Sequence, residues 1–186
     1  MNIDLFQYHN KPEELYGFNQ LPPKTLWELY RWQIGKITIY EPILKQSAKY
    51  SFLYAKSMKS RYSGFIPPVE DAVTKSARYS YDWAMEILNK KPFPKGEDVI
   101  AKSPKYAMMY AWYVIEGKWP KGEDAIAKDA TQSLRYAMFV LGGRFEKGEE
   151  NMKKSRMIYN DYLNTLKRME EEKIEYEKIN RNLGLK

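Results

Sequence analysis

The sequence contains no cysteine and a single histidine among its 186 residues. The first absence excludes disulfides, thiolate zinc sites and cysteine nucleophiles, and it fits a reducing compartment. The second leaves only His9, in a polar stretch flanked by Asn10, Lys11 and Pro12, which reads as a surface histidine. No run approaches the ~18 apolar residues of a membrane-crossing helix. The opening MNIDLFQYHNKPEE has acids where a signal peptide would place a basic and then an apolar region. No membrane association is therefore expected, and the expected location is the cytoplasm. Glycine-rich phosphate loops, metalloprotease helix motifs and calcium-loop spacing are all missing. Acid pairs are plentiful, but they fall where helices are expected to start, and serines in the capping positions have no histidine partner. The chain is thus expected not to be an enzyme, with no catalytic residues, cofactor or metal.

What is present is apolar and aromatic. Hydrophobic residues make up 44% and aromatics 15%, including sixteen Tyr and five Trp, enough for a folded domain rather than a disordered chain. The net charge is +7, and residues 149–186 nearly balance, with nine Lys/Arg against eight Asp/Glu, so the excess lies on residues 1–148. Such an excess suits an acidic protein surface or nucleic acid as partner, and it serves equally as solubilising charge.

The dominant feature is internal repetition. Residues 97–122, EDVIAKSPKYAMMYAWYVIEGKWPKG, return as residues 123–148, EDAIAKDATQSLRYAMFVLGGRFEKG. Units open at Glu41, Glu70, Glu97, Glu123 and Glu149, with spacings of 29, 27, 26 and 26. A period in this range predicts a stacked array.

Each position of the unit has a physical reading. A second acid follows the opening Glu in four of the five units (Asp71, Asp98, Asp124, Glu150), which favours a helix N-terminus. Two apolar residues come next, enough to pin a short first helix. Six residues after the Glu stands a capping residue: Ser47, Ser76, Ser103, Asp129 or Ser155. Pro104 then takes a first helical position. A second helix of about fourteen residues is expected to follow, bearing a repeated face. Its aromatic column is Tyr54, Trp83, Tyr110, Tyr136 and Tyr162, and its neighbouring column is Ala55, Ala84, Ala111, Ala137 and Leu163. At ~100° per residue these columns share one buried stripe. The joints Lys91–Gly96, Lys118–Gly122 and Arg144–Gly148 carry an aromatic as anchor. In them Pro is expected to block helix continuation, and Gly to permit the turn into the next unit.

These patterns predict an all-α fold: a right-handed-type, solenoid-like helical repeat array of short-plus-long helix pairs with a long C-terminal helix. One domain spans 1–186. Residues 1–40 form an N-terminal cap with a degenerate repeat (a helix over 24–34), residues 41–69, 70–96, 97–122 and 123–148 form four repeats, and 149–186 merge a terminal repeat into one long helix. From Asn151 to Asn182 there is neither Pro nor Gly. The far half of this helix is mostly charged, with a narrow seam at Tyr176, Ile179 and Leu183, so self-association through it is a further expectation.

The pattern acid-acid-x-Ile-Ala-Lys-Ser/Asp followed by Tyr-Ala-x-x-Tyr-Ala-x-x-Val and Gly-Lys/Arg-Trp/Phe-Pro-x-Gly-Glu resembles a tandem repeat common in proteins of large tailed bacteriophages. The match is close over 97–148, fair over 41–96 and poor elsewhere. The resemblance implies a phage origin, a helical fold, residence in the host-cell cytoplasm and no catalytic residues. The short-plus-long helix unit is also similar in geometry to leucine-rich-variant repeats, an analogy of shape alone.

Two binding readings follow. The first is a non-catalytic protein that binds and modulates, in the concrete form inhibits, a host or defence protein. Its candidate contact residues are the apolar side chains outside the main stripe: Tyr81, Met85, Met108, Met109, Trp112, Leu134 and Met138. The alternative is nucleic-acid binding along a ridge of inter-repeat loops. There Lys90, Lys91, Lys95, Lys118, Lys121, Arg144 and Lys147 would track phosphates, while Phe93, Trp119 and Phe145 stack on bases.

Overall fold

Helix starts in this chain are written by proline, serine and aspartate. In the computed structural model, which describes residues 44–61, 64 and 66–183, all regular structure is helical, with no strand among the described residues. The expected cap at 1–40, the opening residues of the 41–69 unit and the loop residues Tyr62, Ser63 and Phe65 lie outside the described residues.

The elements are α1 (Ala48–Arg61), α2 (Glu70–Val73), α3 (Ala77–Asp82), α4 (Pro94–Ile100), α5 (Pro104–Tyr110), α6 (Pro120–Ile126), α7 (Ala130–Tyr136), α8 (Glu146–Lys153) and α9 (Arg156–Asn182). Ser76, Asp129 and Ser155 cap α3, α7 and α9, accepting from the backbone N–H groups of Tyr79, Gln132 and Ile158. Ser103 makes no such bond; α5 starts instead on Pro104, whose fixed φ suits a first turn.

Three details differ from expectation. The second helix is not fourteen uniform residues in the units opening at Glu70, Glu97 and Glu123. There α3, α5 and α7 pass into π-helical turns at Trp83–Ile87, Ala111–Ile115 and Ala137–Leu141. The wider turn shifts the phase of the residues it contains. Second, α4 and α6 begin at Pro94 and Pro120, three residues before the glutamate taken as the opening; proline starts these helices rather than blocking them. Third, Gly96, Gly122 and Gly148 lie inside helices and none has a positive φ, so they are not turn residues.

Close packing explains the glycines. A Cβ on Gly96 would stand 2.4 Å from the Phe93 ring and 2.8 Å from Ser80 Cβ. On Gly122 it would meet the Trp119 ring at 2.5 Å and Ala107 Cβ at 3.0 Å, and on Gly148 the Ser133 hydroxyl at 2.5 Å. The small column Ser80, Ala107 and Ser133 is the other half of the same contact. Ser51, Ser80 and Ser133 are fully buried, and their hydroxyls donate to the carbonyls of Leu44, Val73 and Ile126 at 2.9, 3.1 and 2.9 Å.

The described residues form two compact units, one reaching Asn89 and including Phe93–Gly96, the other made of Lys90–Pro92 and Glu97 onward. In the first, α1 packs on α2, α3 and the π turn after α3. Lys59 Nζ donates to the carbonyls of Glu86 and Ile87 at 2.7 and 2.8 Å, satisfying groups that the end of that turn leaves open. In the second, α5 packs on α6 and α7, and α7 packs on α8 and α9. The aromatic column is the core of both: Tyr54, Trp83, Tyr110, Tyr136 and Tyr162 are all buried. The alanine column is buried with it, but Leu163 in the same register is exposed.

Candidate interaction surface

Tyrosine–glutamate bonds recur at three of the inter-helix joints. In the second unit Tyr136 Oη accepts from the Trp119 N–H at 2.9 Å and donates to Glu123 Oε1 at 3.2 Å. Tyr162 Oη accepts from the Phe145 N–H at 3.0 Å and donates to Glu149 Oε1 at 3.0 Å. Tyr110 Oη donates to Glu97 Oε1 at 3.1 Å. Thus the opening glutamate is an acceptor for a buried phenol thirteen residues on, beyond its place in a first helical turn.

The same carboxylates gather the cations of the joints, of which Lys95, Lys121 and Lys147 lie in first helical turns rather than in loops. Lys121 Nζ lies 2.8 Å from Asp98 and 3.4 Å from Glu97; Lys147 Nζ lies 3.1 Å from Asp124 and 3.5 Å from Glu123. In the first unit Lys95 repeats this with Glu70 and Asp71. Arg144 makes a two-pronged contact with Glu149, at 2.7 and 3.4 Å, and Lys118 stands 3.9 Å from Glu123. The charges respond accordingly. Hydrogen bonding to Asp98 raises the Lys121 pKa, and hydrogen bonding to Asp124 raises that of Lys147. Lys121 in turn lowers the Asp98 pKa, and the Arg144 bond lowers that of Glu149.

This geometry corrects the basic-ridge expectation. Lys118, Lys121, Arg144 and Lys147 each face a carboxylate, so little unneutralised charge is left at those joints for phosphate. Trp119 is buried and packs on Tyr110 with ring centroids 4.8 Å apart, while Phe145 packs on Tyr136 at 4.9 Å. Phe93 likewise packs on Trp83 at 6.0 Å. These rings fill the space above Gly122, Gly148 and Gly96 and cannot stack on bases. Lys91 is exposed.

The second apolar face divides. Tyr81 and Met108 are buried, which makes them core residues and removes them from any contact patch. Met85, Met109, Trp112, Leu134 and Met138 are half-buried. Trp112 stacks on Tyr113 (centroids 4.5 Å, interplanar angle 25°) and on Phe139 (4.5 Å, 6°). Phe139 is 48% exposed. The buried-stripe columns do not include Phe139, whose position falls about 20° beyond the edge of their arc at ~100° per residue. The sign was nonetheless present, since Tyr113 and Phe139 share one register, sixteen residues after Glu97 and Glu123. All three rings sit on π turns, as Met138 does.

Beside this stack, Leu134 and Met138 floor an open groove of about 500 Å³ whose other wall is α9, through Asp161, Asn164, Thr165 and Arg168. Among the described residues no cluster of His, Cys, Asp or Glu could hold a metal ion, and no helix is long and apolar enough to cross a membrane. No protein-family model matches the chain, and no curated protein or solved structure matches it.

Proposed function

We propose that this chain is a non-catalytic helical repeat protein of the phage type that binds a host or defence protein in the host cytoplasm and inhibits it, using the Trp112–Phe139 face. The single observation carrying this reading is the flat Trp112–Phe139 stack with Phe139 open to solvent. Large aromatics held rigidly at a surface are the side chains that dominate binding energy at protein interfaces. Arg135, exposed one helical turn before Phe139, adds a cation beside the rings that suits a partner bearing carboxylates around an apolar pocket.

The array is part of the proposal. It is a right-handed solenoid of units 41–69, 70–96, 97–122 and 123–148 with a terminal unit from 149. The recurring tyrosine–glutamate bond at a separation of thirteen and the serine–carbonyl bond at a separation of seven support it. Pairing of the cations at the joints favours a protein partner over nucleic acid.

The test is capture from bacterial lysate on the immobilised chain, with Phe139→Asp as the matched control and mass spectrometry as readout. A protein enriched on the wild type and lost on the variant supports the reading. Equal enrichment on both would remove Phe139 from the site. A mobility shift of mixed DNA and RNA persisting at physiological salt would reverse the preference for protein.

A further inference from the structure

The helix α9 runs for 27 residues, about 40 Å, and leaves the packed body of its unit behind. Every residue from Glu170 through Ile179 is exposed. Tyr176, Ile179 and Leu183, each 49% to 66% exposed, continue the face that nearer the body carries Asp161, Thr165 and Arg168, the polar wall of the groove, while Ile174, 46% exposed, lies on the opposite side of the helix. At ~100° per residue all six fall with Glu172 inside an arc of about 80°.

The spacing along that face is symmetric. Arg168 and Tyr176 lie four residues either side of Glu172, Thr165 and Ile179 seven, Asp161 and Leu183 eleven. One half is a groove wall beside the apolar floor of Leu134 and Met138; the other half is an apolar stripe with no floor. A two-fold axis at Glu172 superposes each half on the other. We propose that a second copy of this chain covers the stripe, the two α9 helices lying antiparallel about Glu172. In this arrangement Ile179 and Leu183 of the second copy lie opposite Thr165 and Asp161, over Met138 and Leu134. Tyr176 of the second copy meets Arg168, a cation beside an aromatic face.

In this register Glu172 of each copy meets its mate on the axis, with Arg168, its ion-pair partner one turn earlier in the same helix, beside it. Residues 170–178 carry five glutamates against two lysines, on a chain of net charge +7. The antiparallel register brings Glu175 of one copy alongside Arg168 of the other, and symmetry makes the contact twice. A parallel pair would instead align Arg168 with Arg168 and Glu175 with Glu175, and would leave both grooves open. The interface is isologous and closed, so it yields a dimer and not a filament.

The chain's lack of cysteine makes the test clean. Full-length wild type is expected to sediment at twice the chain mass at high concentration, and Ile179→Glu with Leu183→Glu to sediment as monomer with an unchanged circular-dichroism spectrum. Glu172→Cys is expected to form a disulfide-linked dimer under mild oxidation. Arg168→Cys is expected to crosslink to Tyr176→Cys in a mixture, while neither crosslinks to itself. A monomeric wild type at every concentration, or self-crosslinking of Arg168→Cys, would overturn the proposal.

Discussion

Gly122→Ala sets two well-known effects against each other, and the structure decides the sign. Gly122 lies in α6 without a positive φ, so helix propensity alone predicts that alanine stabilises by up to about 1 kcal/mol. The added methyl, however, would stand 2.5 and 2.6 Å from two carbons of the Trp119 ring and 3.0 Å from Ala107 Cβ. Neither neighbour has room to yield. Trp119 is only 6% exposed and Ala107 is wholly buried, the indole packs on Tyr110, and the Trp119 N–H is held by Tyr136. Overpacking costs about 1–3 kcal/mol, and contact on two sides puts this site near the upper figure. Subtracting the propensity gain leaves a net loss of about 2 kcal/mol, a fall of roughly 4–8 °C in Tm for a chain of this length. Gly117→Ala is the matched control. No atom stands within 4 Å of the position its Cβ would take and its φ is not left-handed, so alanine there is expected to stabilise by about 0.4–1 kcal/mol. Thermal unfolding followed by circular dichroism reads both. A Gly122→Ala variant as stable as Gly117→Ala would refute the packing argument.

Other outcomes follow from the same joints. Tyr136→Phe removes an oxygen that serves both the Trp119 N–H and the Glu123 carboxylate in a buried site. Stranding those groups is expected to cost about 1–3 kcal/mol in urea unfolding. Burial first, with the nearby Glu123 charge adding to it against the opposing Trp119 hydrogen bond, pushes the Tyr136 pKa from 10.0 up to about 12. Folding therefore favours the neutral phenol. Its contribution is complete below pH 10 and is lost between pH 10 and about 12, so Tyr136→Phe is expected to flatten the alkaline loss of stability over that window. An unchanged pH profile would show that the phenol is not the group responsible. Glu116 occupies a left-handed position with φ 55°, as Gly142 does at 56° in the next joint. Glu116→Gly should relieve that strain and stabilise by about 0.5–1 kcal/mol; a lower Tm would show that the Glu116 side chain contributes more than its backbone costs.

The boundary between what was legible in the sequence and what was not follows the range of the interactions. Helix starts at Ser76, Pro104, Asp129 and Ser155 are local matters, settled by a side chain and the next turn of backbone, and they read directly. So does burial of the Tyr54, Trp83, Tyr110, Tyr136 and Tyr162 column, since apolar periodicity and helical geometry share one period. Residues whose role depends on a neighbour in another helix did not read. Lys121 looked like a free loop cation until the fold laid it against Asp98, and Trp119 looked like a stacking platform until the fold packed its ring on Tyr110 and its backbone N–H on Tyr136. Phe139 escaped because its position falls about 20° beyond the arc that the buried columns span at ~100° per residue. The sequence by itself determined an all-helical chain, its caps and its tyrosine core, because these depend on spacing within a helix. Only the tertiary structure decided why the glycines are glycine, which cations are paired and which rings meet solvent, because those depend on how closely one helix approaches the next.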